Sequence, residues 1–358
     1  MVQKQLRKSY SKEFIGFYNE GVGHTPFLDS LMQYSIVFEN AYANGLKSIE
    51  ALPAITASIP ALMKNPFITS NQAQNKFTSI ASILNDEGYT SSFYHGGMRG
   101  TMGFYSFSKK ADFNHYFGME EFNNNEFFDG SWGIYDKDFM NFFGENLNNT
   151  KEPFFSTFFS LSSHPPYILP KSYMKKNNLK KNKISMKETI SYTDHAMKHF
   201  FNISKDQEWF KNTIFIITAD HTAGETFKEE YKNKTGRYAI PLIIFHGDSS
   251  RYERNKNIVQ QIDIMPTILE IVNYNKPFFS FGKSMFSEKN WAISFLQNKY
   301  RFITNNGIII NQEEKYNSFS DWEELERNNP NIYDVKLLKA IKQDFNYRMT
   351  NNNLEYEN

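Results

Sequence analysis

The chain has 358 residues, with 40 Lys and Arg against 39 Asp and Glu, a formal net charge of +1 and no cysteine. Near-neutrality excludes recruitment of nucleic acid or an anionic membrane by overall charge. The missing thiol excludes disulfides, thiolate metal sites and a cysteine nucleophile.

The length suffices for one large α/β domain or two ordinary ones. The basic opening MVQKQLRKSY is not followed by the apolar segment of a secretory signal, and no apolar run approaches the roughly 18 residues of a spanning helix. Neither signal nor anchor is expected in this chain. A helix is predicted over 25–34, and the run IVFENAYA predicts a strand over 36–43. Asn44-Gly45 ends that strand, and the spacing of Ile49, Pro53, Ile55 and Ile59 predicts a helix over 48–58 that opens at Ser48. A helix over 76–87 leads to the strand TSSFYHG, 90–96, where His95 is followed by two glycines. A helix over 134–147 precedes the strand FFSTFFSLS, 154–162, and His164 stands just beyond it, before Pro165 and Pro166. The segment KKNNLKKNKIS, 175–185, reads as a solvated basic loop. A helix over 186–204 feeds the strand TIFIITAD, 213–220, which ends in Asp220 and His221. A strand over 238–246 and a helix over 257–274 follow. After about residue 290 the pattern changes to a hairpin turning on Asn305-Asn306-Gly307, an acidic segment and a helix over 334–349. Alternating strands and helices predict an α/β fold with a mostly parallel central sheet and helices on both faces over 1–290. A small α+β subdomain is expected over 291–358.

Ligands of open parallel sheets bind beyond the carboxyl ends of the strands. Asp220 and His221 lie at such an end, and a carboxylate beside an imidazole suits Mn, Mg or Zn better than a soft metal. Read alone, Asp220 serves equally as a cap and His221 as a surface residue. Ser48 at a helix N-terminus has free N–H groups and a partial positive charge beside it for an anion. Its hydroxyl can attack a phosphoryl or sulfuryl group, or can simply cap the helix. His164 and His95 each follow a strand and could hold a substrate oxygen or donate a proton, or have no role. Four such features at the edge of one sheet point to a single site.

TPFLDSL, NGLKSIEALPAI, FYHGG, DGSWGIYD, SLSSHPPY, ITADHT, GRYAIPLIIF and QIDIMPTIL follow one another between roughly residues 9 and 290. In this order the chain resembles the lipoteichoic acid synthase-like sulfatase family, within the alkaline phosphatase superfamily. The resemblance implies an alkaline phosphatase-like fold and a metal-dependent enzyme whose Ser or Thr nucleophile is also a metal ligand. By match, Ser48 is nucleophile and ligand, Asp220 and His221 are ligands, and His95 and His164 lie near the substrate headgroup; a histidine placed like His164 can there donate a proton to the leaving group. Asp263 in QIDIMPTIL reads as the start of a helix. The implied cofactor is one divalent cation, manganese first, with magnesium or zinc as alternatives. The implied substrates are phospholipid or glycan headgroups of phosphoglycerol or phosphoethanolamine type, handled at the extracytoplasmic face of a bacterial inner membrane.

The resemblance breaks at one position. The family's first strand ends in Glu-Ser, with that Glu a metal ligand, and Lys8 of RKSYSKEF stands in its place. Glu13 and Glu20 do not fit the spacing, so the fourth ligand stays open. The chain therefore reads either as an N-terminally truncated enzyme or as a non-catalytic remnant. A formylglycine sulfatase is a third reading, but Ser48 is followed by Ile49-Glu50-Ala51-Leu52 without the expected Arg.

Overall fold

Val37 and Phe38, wholly buried, anchor the strand around which the first sheet is built, β1, Ser35–Tyr42. The computed structural model describes residues 11–224, 226–248, 251–288, 291–320, 326–327 and 329–356. The strands that follow are β2, Thr90–His95; β3, His115–Phe117; β4, Phe154–Phe159; β5, Ile214–Thr218; β6, Leu242–His246; and β7, Glu253–Gln260. Among the described residues their ladders form a four-stranded sheet of order β5-β6-β1-β7 and a three-stranded sheet of order β3-β2-β4. The second is all parallel. In the first, β1 and β7 are parallel while β6 runs against both β1 and β5. The carboxyl ends of β1, β5 and β7 therefore share one edge.

The four features expected on one sheet are thus divided between two ladders among these residues. Those after β1 and β5 belong to the first, and those after β2 and β4 to the second.

Apolar runs become strands because both their faces are covered. Every residue of β4 is buried, and its Phe154, Phe155, Phe158 and Phe159 join one core with the helices Asp136–Asn148 and Met186–Ser204. The helix Ser48–Ala57 seats Leu52 and Ile55 in that core without exposure, and each such side chain contributes about 1.5–3 kcal/mol of burial.

Three expectations change. The helix predicted over 257–274 is only Ile264–Ile271, and 257–260 belong to β7. This edge strand is charged in its first half, ERNKN, which obscures the period-two pattern and discourages pairing with another chain. The strand predicted over 238–246 starts at Leu242, because Pro241 has no N–H for a ladder. The basic segment 175–185 is not wholly loop: it takes up the end of the helix Lys171–Lys176 and a turn at Lys181–Lys183.

Beyond residue 290, β8, Ala292–Leu296; β9, Lys299–Thr304; β10, Gly307–Gln312; β11, Lys315–Phe319; and β12, Glu326–Arg327 form an antiparallel meander, followed by the helix Ile332–Asn351. Thr304 pairs with Gly307, so the expected hairpin turns on Asn305-Asn306. Ile293, Phe302, Ile309 and Leu338 enter the same core as the first sheet's strands. The acidic segment at 321–325 lies outside the described residues.

Candidate active site

The turn after β1 is built to expose a helix start. Glu50, in the first turn of the helix, folds back so that its Oε2 accepts the N–H groups of Leu46 (3.0 Å) and Lys47 (3.1 Å). Gly45 permits this, since a Cβ there would lie 2.3 Å from Glu50 Oε2. Lys47, not Ser48, is the N-cap residue, and Ser48 is the first helical residue. With Glu50 doing the capping, the buried Ser48 hydroxyl faces the end of β5.

There Asp220 Oδ1 accepts the His221 N–H at 3.0 Å. His221 Nδ1 lies 2.6 Å from the Thr222 carbonyl oxygen, which can only accept. Nδ1 therefore carries the proton, and Nε2 presents its lone pair 3.4 Å from Ser48 Oγ and 3.4 Å from Asp220 Oδ2. Both distances exceed an ordinary hydrogen bond of about 2.7–3.2 Å. Ser48 Oγ and Asp220 Oδ2 each approach Nε2 without binding it closely. Ligands about 2.1 Å from a tetrahedrally held ion lie roughly 3.4 Å apart, and these two separations match that spacing.

Among the described residues no group of three or more His, Asp or Glu could hold a metal. Lys8 lies outside the described residues. Glu13 is committed elsewhere: its Oε1 accepts the N–H groups of Phe227 (2.6 Å) and Lys228 (3.3 Å), anchoring the loop after His221. Burial pushes its carboxyl above the ordinary value. Glu20 is exposed.

His95 is the last residue of β2, and His164 lies in the loop beyond the neighbouring strand β4. His95 is wholly buried between the rings of Phe104 and Phe159, with Nδ1 3.3 Å from the Tyr116 hydroxyl. Its ring lies so close to Gly97 that a Cβ there would be 2.7 Å from Cε1. His164 donates from Nδ1 to the Leu161 carbonyl (2.9 Å), leaving Nε2 as the acceptor of the neutral ring, and it packs on Trp132.

Two carboxylates of DGSWGIYD shape these loops. Asp129 Oδ1 accepts the N–H groups of Ser131 and Trp132, both at 2.7 Å, and Asp136 accepts those of Leu161 (2.7 Å) and Ser162 (3.1 Å). Burial outweighs those bonds and raises the Asp136 carboxyl to about 6. Asp263 receives the N–H groups of Gln260 and Lys283 where the helix Ile264–Ile271 begins, as expected.

A cavity of about 310 Å³ opens beside His221, and Arg237 and Lys232 line it. Among the described residues no carboxylate pairs with Arg237. Neither basic residue was singled out from sequence, although Arg237 lies within the quoted GRYAIPLIIF; isolated cations carry no spacing signal.

The profile of the Sulfatase family matches residues 6–274. Lipoteichoic acid synthase 1 of Bacillus subtilis (strain 168) is 26% identical over 311 residues, covering 78% of this chain and 47% of that protein. The lipoteichoic acid synthase-like YvgJ of the same strain is 23% identical over 309 residues, covering 79% and 49%. The chain thus spans about half the length of these relatives. A protein in the alkaline phosphatase superfamily from Vibrio parahaemolyticus superposes with a TM-score of 0.87 at 24% identity, covering 99% of this chain and 88% of that one. The lipoteichoic acid synthase LtaP from Listeria monocytogenes gives 0.81 at 18% identity, covering 99% and 92%. At these identities the superpositions show a shared alkaline phosphatase-like fold.

Proposed function

The chain belongs to the Sulfatase family, and from that premise we propose a metal-dependent phosphotransferase or hydrolase acting on phosphodiester headgroups through the Ser48 hydroxyl. The observation that carries this reading is the convergence of Ser48 Oγ and Asp220 Oδ2 on His221 Nε2, each at 3.4 Å, where a helix begins. Ser48, Asp220 and His221 would hold one divalent cation, manganese first and magnesium or zinc as alternatives. When bound it would lower the pKa of the hydroxyl and offset charge on the phosphoryl oxygens.

The chain's own residues do the rest. The first turn of the helix Ser48–Ala57 turns its positive end towards the phosphoryl group. Ser48 Oγ, having released its proton to solvent, forms a bond to phosphorus as the bond to the leaving oxygen breaks, and His164, in its imidazolium form, gives that oxygen the Nε2 proton and returns to the neutral ring. The seryl-phosphoryl group then passes to a sugar hydroxyl or to water. Arg237 offsets the charge of the headgroup, and His95 helps to bound its site. Substrates of phosphoglycerol or phosphoethanolamine type, from phospholipids or glycans, suit this chemistry. They place the work at the extracytoplasmic face of a bacterial envelope. No helix among the described residues is long and apolar enough to cross a membrane.

Lys8 at the position of the family's Glu favours a second reading, a remnant that keeps the fold without the cation. Sulfate-ester hydrolysis is the weaker third. Mass spectrometry of the Ser48 peptide after brief incubation with a phosphodiester separates the three. A phosphoryl adduct on Ser48 is expected. An unmodified serine with no turnover supports the remnant, and a formylglycine at this position supports the sulfatase.

A further inference from the structure

The spacing of Ser48 from Asp220 and His221 is not set by strand pairing. β1 and β5 are separated by β6, which runs against both, and the functional side chains lie beyond the ladders, Ser48 at the start of a helix and Asp220 and His221 after β5. One side chain spans the gap. Gln261, directly after β7, is wholly buried. Its Oε1 accepts the Asn44 N–H at 3.0 Å, and its Nε2 donates to the carbonyls of Ala219 (3.0 Å) and Asp220 (2.6 Å). Both amide protons and the amide oxygen are thereby used. A flipped amide would set its oxygen against two carbonyls, so the network admits one orientation.

The register delivers this contact. Tyr42 pairs with Gln260 in the parallel β1–β7 ladder, bringing Asn44 beside Gln261 as both strands end. Asn44 Oδ1 accepts the Ile262 N–H (3.1 Å), and its Nδ2 donates to Gln260 Oε1 (2.8 Å) and the Ile293 carbonyl (2.9 Å). The turn leading to Ser48 is held on one side by this amide cluster, and the backbone of Asp220 is held on the other.

We propose that Gln261 is a positioning residue that locks the Ser48 turn against the Asp220–His221 pair and thereby sets the affinity for a divalent cation. This rests on the cation reading above. A carboxylate in place of the amide keeps the acceptor for Asn44 but turns an oxygen towards two carbonyls, which pushes the end of β5 away from Ser48.

The test is Mn²⁺ binding by the full chain, followed by electron paramagnetic resonance beside melting temperature. The variants are Gln261→Glu and Gln261→Met, both near the native side-chain length, with Ser58→Ala as a control. Ser58 bonds the neighbouring Ile262 carbonyl (2.7 Å) and Gly282 N–H (2.9 Å) within the fold. Both Gln261 variants should weaken Mn²⁺ binding about 10–100-fold, the range for outer-shell ligand supports, at temperatures where they stay folded. Ser58→Ala should lower the melting temperature and keep the wild-type affinity. Wild-type affinity in either folded Gln261 variant overturns the proposal, as does a loss of affinity in Ser58→Ala that tracks its melting temperature. A wild-type chain that binds no Mn²⁺ instead refutes the cation reading, and the inference falls with it.

Discussion

At the scale of single residues, Ser48 is held in place by its neighbours rather than by its own bonds. Glu50 satisfies the turn's N–H groups, and Gln261 ties Asn44 to the end of β5. On the proposed reading Ser48→Ala should abolish turnover, because the proposed nucleophile and cation donor are then removed together; kcat under saturating Mn²⁺ checks this. His164→Ala should lower kcat less, by about 10²–10⁴-fold, the usual range for proton transfer by a positioned side chain. Equal losses in the two variants would assign His164 a role beyond proton transfer. Ser48, Asp220 and His221 were legible in the sequence because each follows an apolar run at a strand end. Gln261 was not. A buried amide acts through partners distant in sequence, and nothing in the local pattern of QQID distinguishes it from the adjacent Gln260.

At the scale of elements, helices are finished by one another. The helix Pro26–Met32 has no side-chain cap of its own at Thr25. Asp194, in the middle of the helix Met186–Ser204, instead accepts the N–H groups of Phe27 and Leu28, both at 2.9 Å. Asp194→Ala should destabilise the protein by about 1–3 kcal/mol, the cost of leaving buried donors unsatisfied, measurable by urea denaturation. The same burial raises the Asp194 carboxyl to about 7, as it raises Asp136 to about 6 and Asp263 to about 8. For each, the folded chain holds a proton that the unfolded chain, near 3.8, has released. Their contribution to stability is full below that value and is lost as pH rises through 6, 7 and 8. The urea midpoint should therefore fall between pH 5 and pH 9, and the fall should be shallower in Asp194→Asn. A midpoint that climbs over this interval would contradict the assignment. Strand legibility followed burial. β1, β4 and β5 are apolar runs and legible as strands, whereas the half-charged edge strand β7 is not, and residues 257–260 at its end read as the start of a helix.

At the scale of the molecule, three parallel strand ends meet at one edge, and the β8–β12 meander is wired to that edge. Asn44 and Gln260 both bond the backbone of β8 through Ile293. The α/β class was legible from the alternation of strands and helices. The direction of β6 was not, because antiparallel pairing depends on how the chain returns rather than on composition. The match of Lys8 to the family's Glu is open to test by substitution. A lysine beside a cation loses a ligand and adds repulsion, so Lys8→Glu should raise Mn²⁺ retention through gel filtration. Unchanged retention would show that residue 8 does not stand at the ligand position.

Phosphoryl transfer by Ser48 can be separated from every alternative in one assay. A phosphodiester and a sulfate ester of the same chromophore are offered to the wild-type chain and to Ser48→Ala, with Mn²⁺ in excess. Release of the chromophore from the diester by the wild type, and from neither ester by Ser48→Ala, is the predicted result. Turnover of the sulfate ester alone, or diester activity that persists in Ser48→Ala, would contradict it.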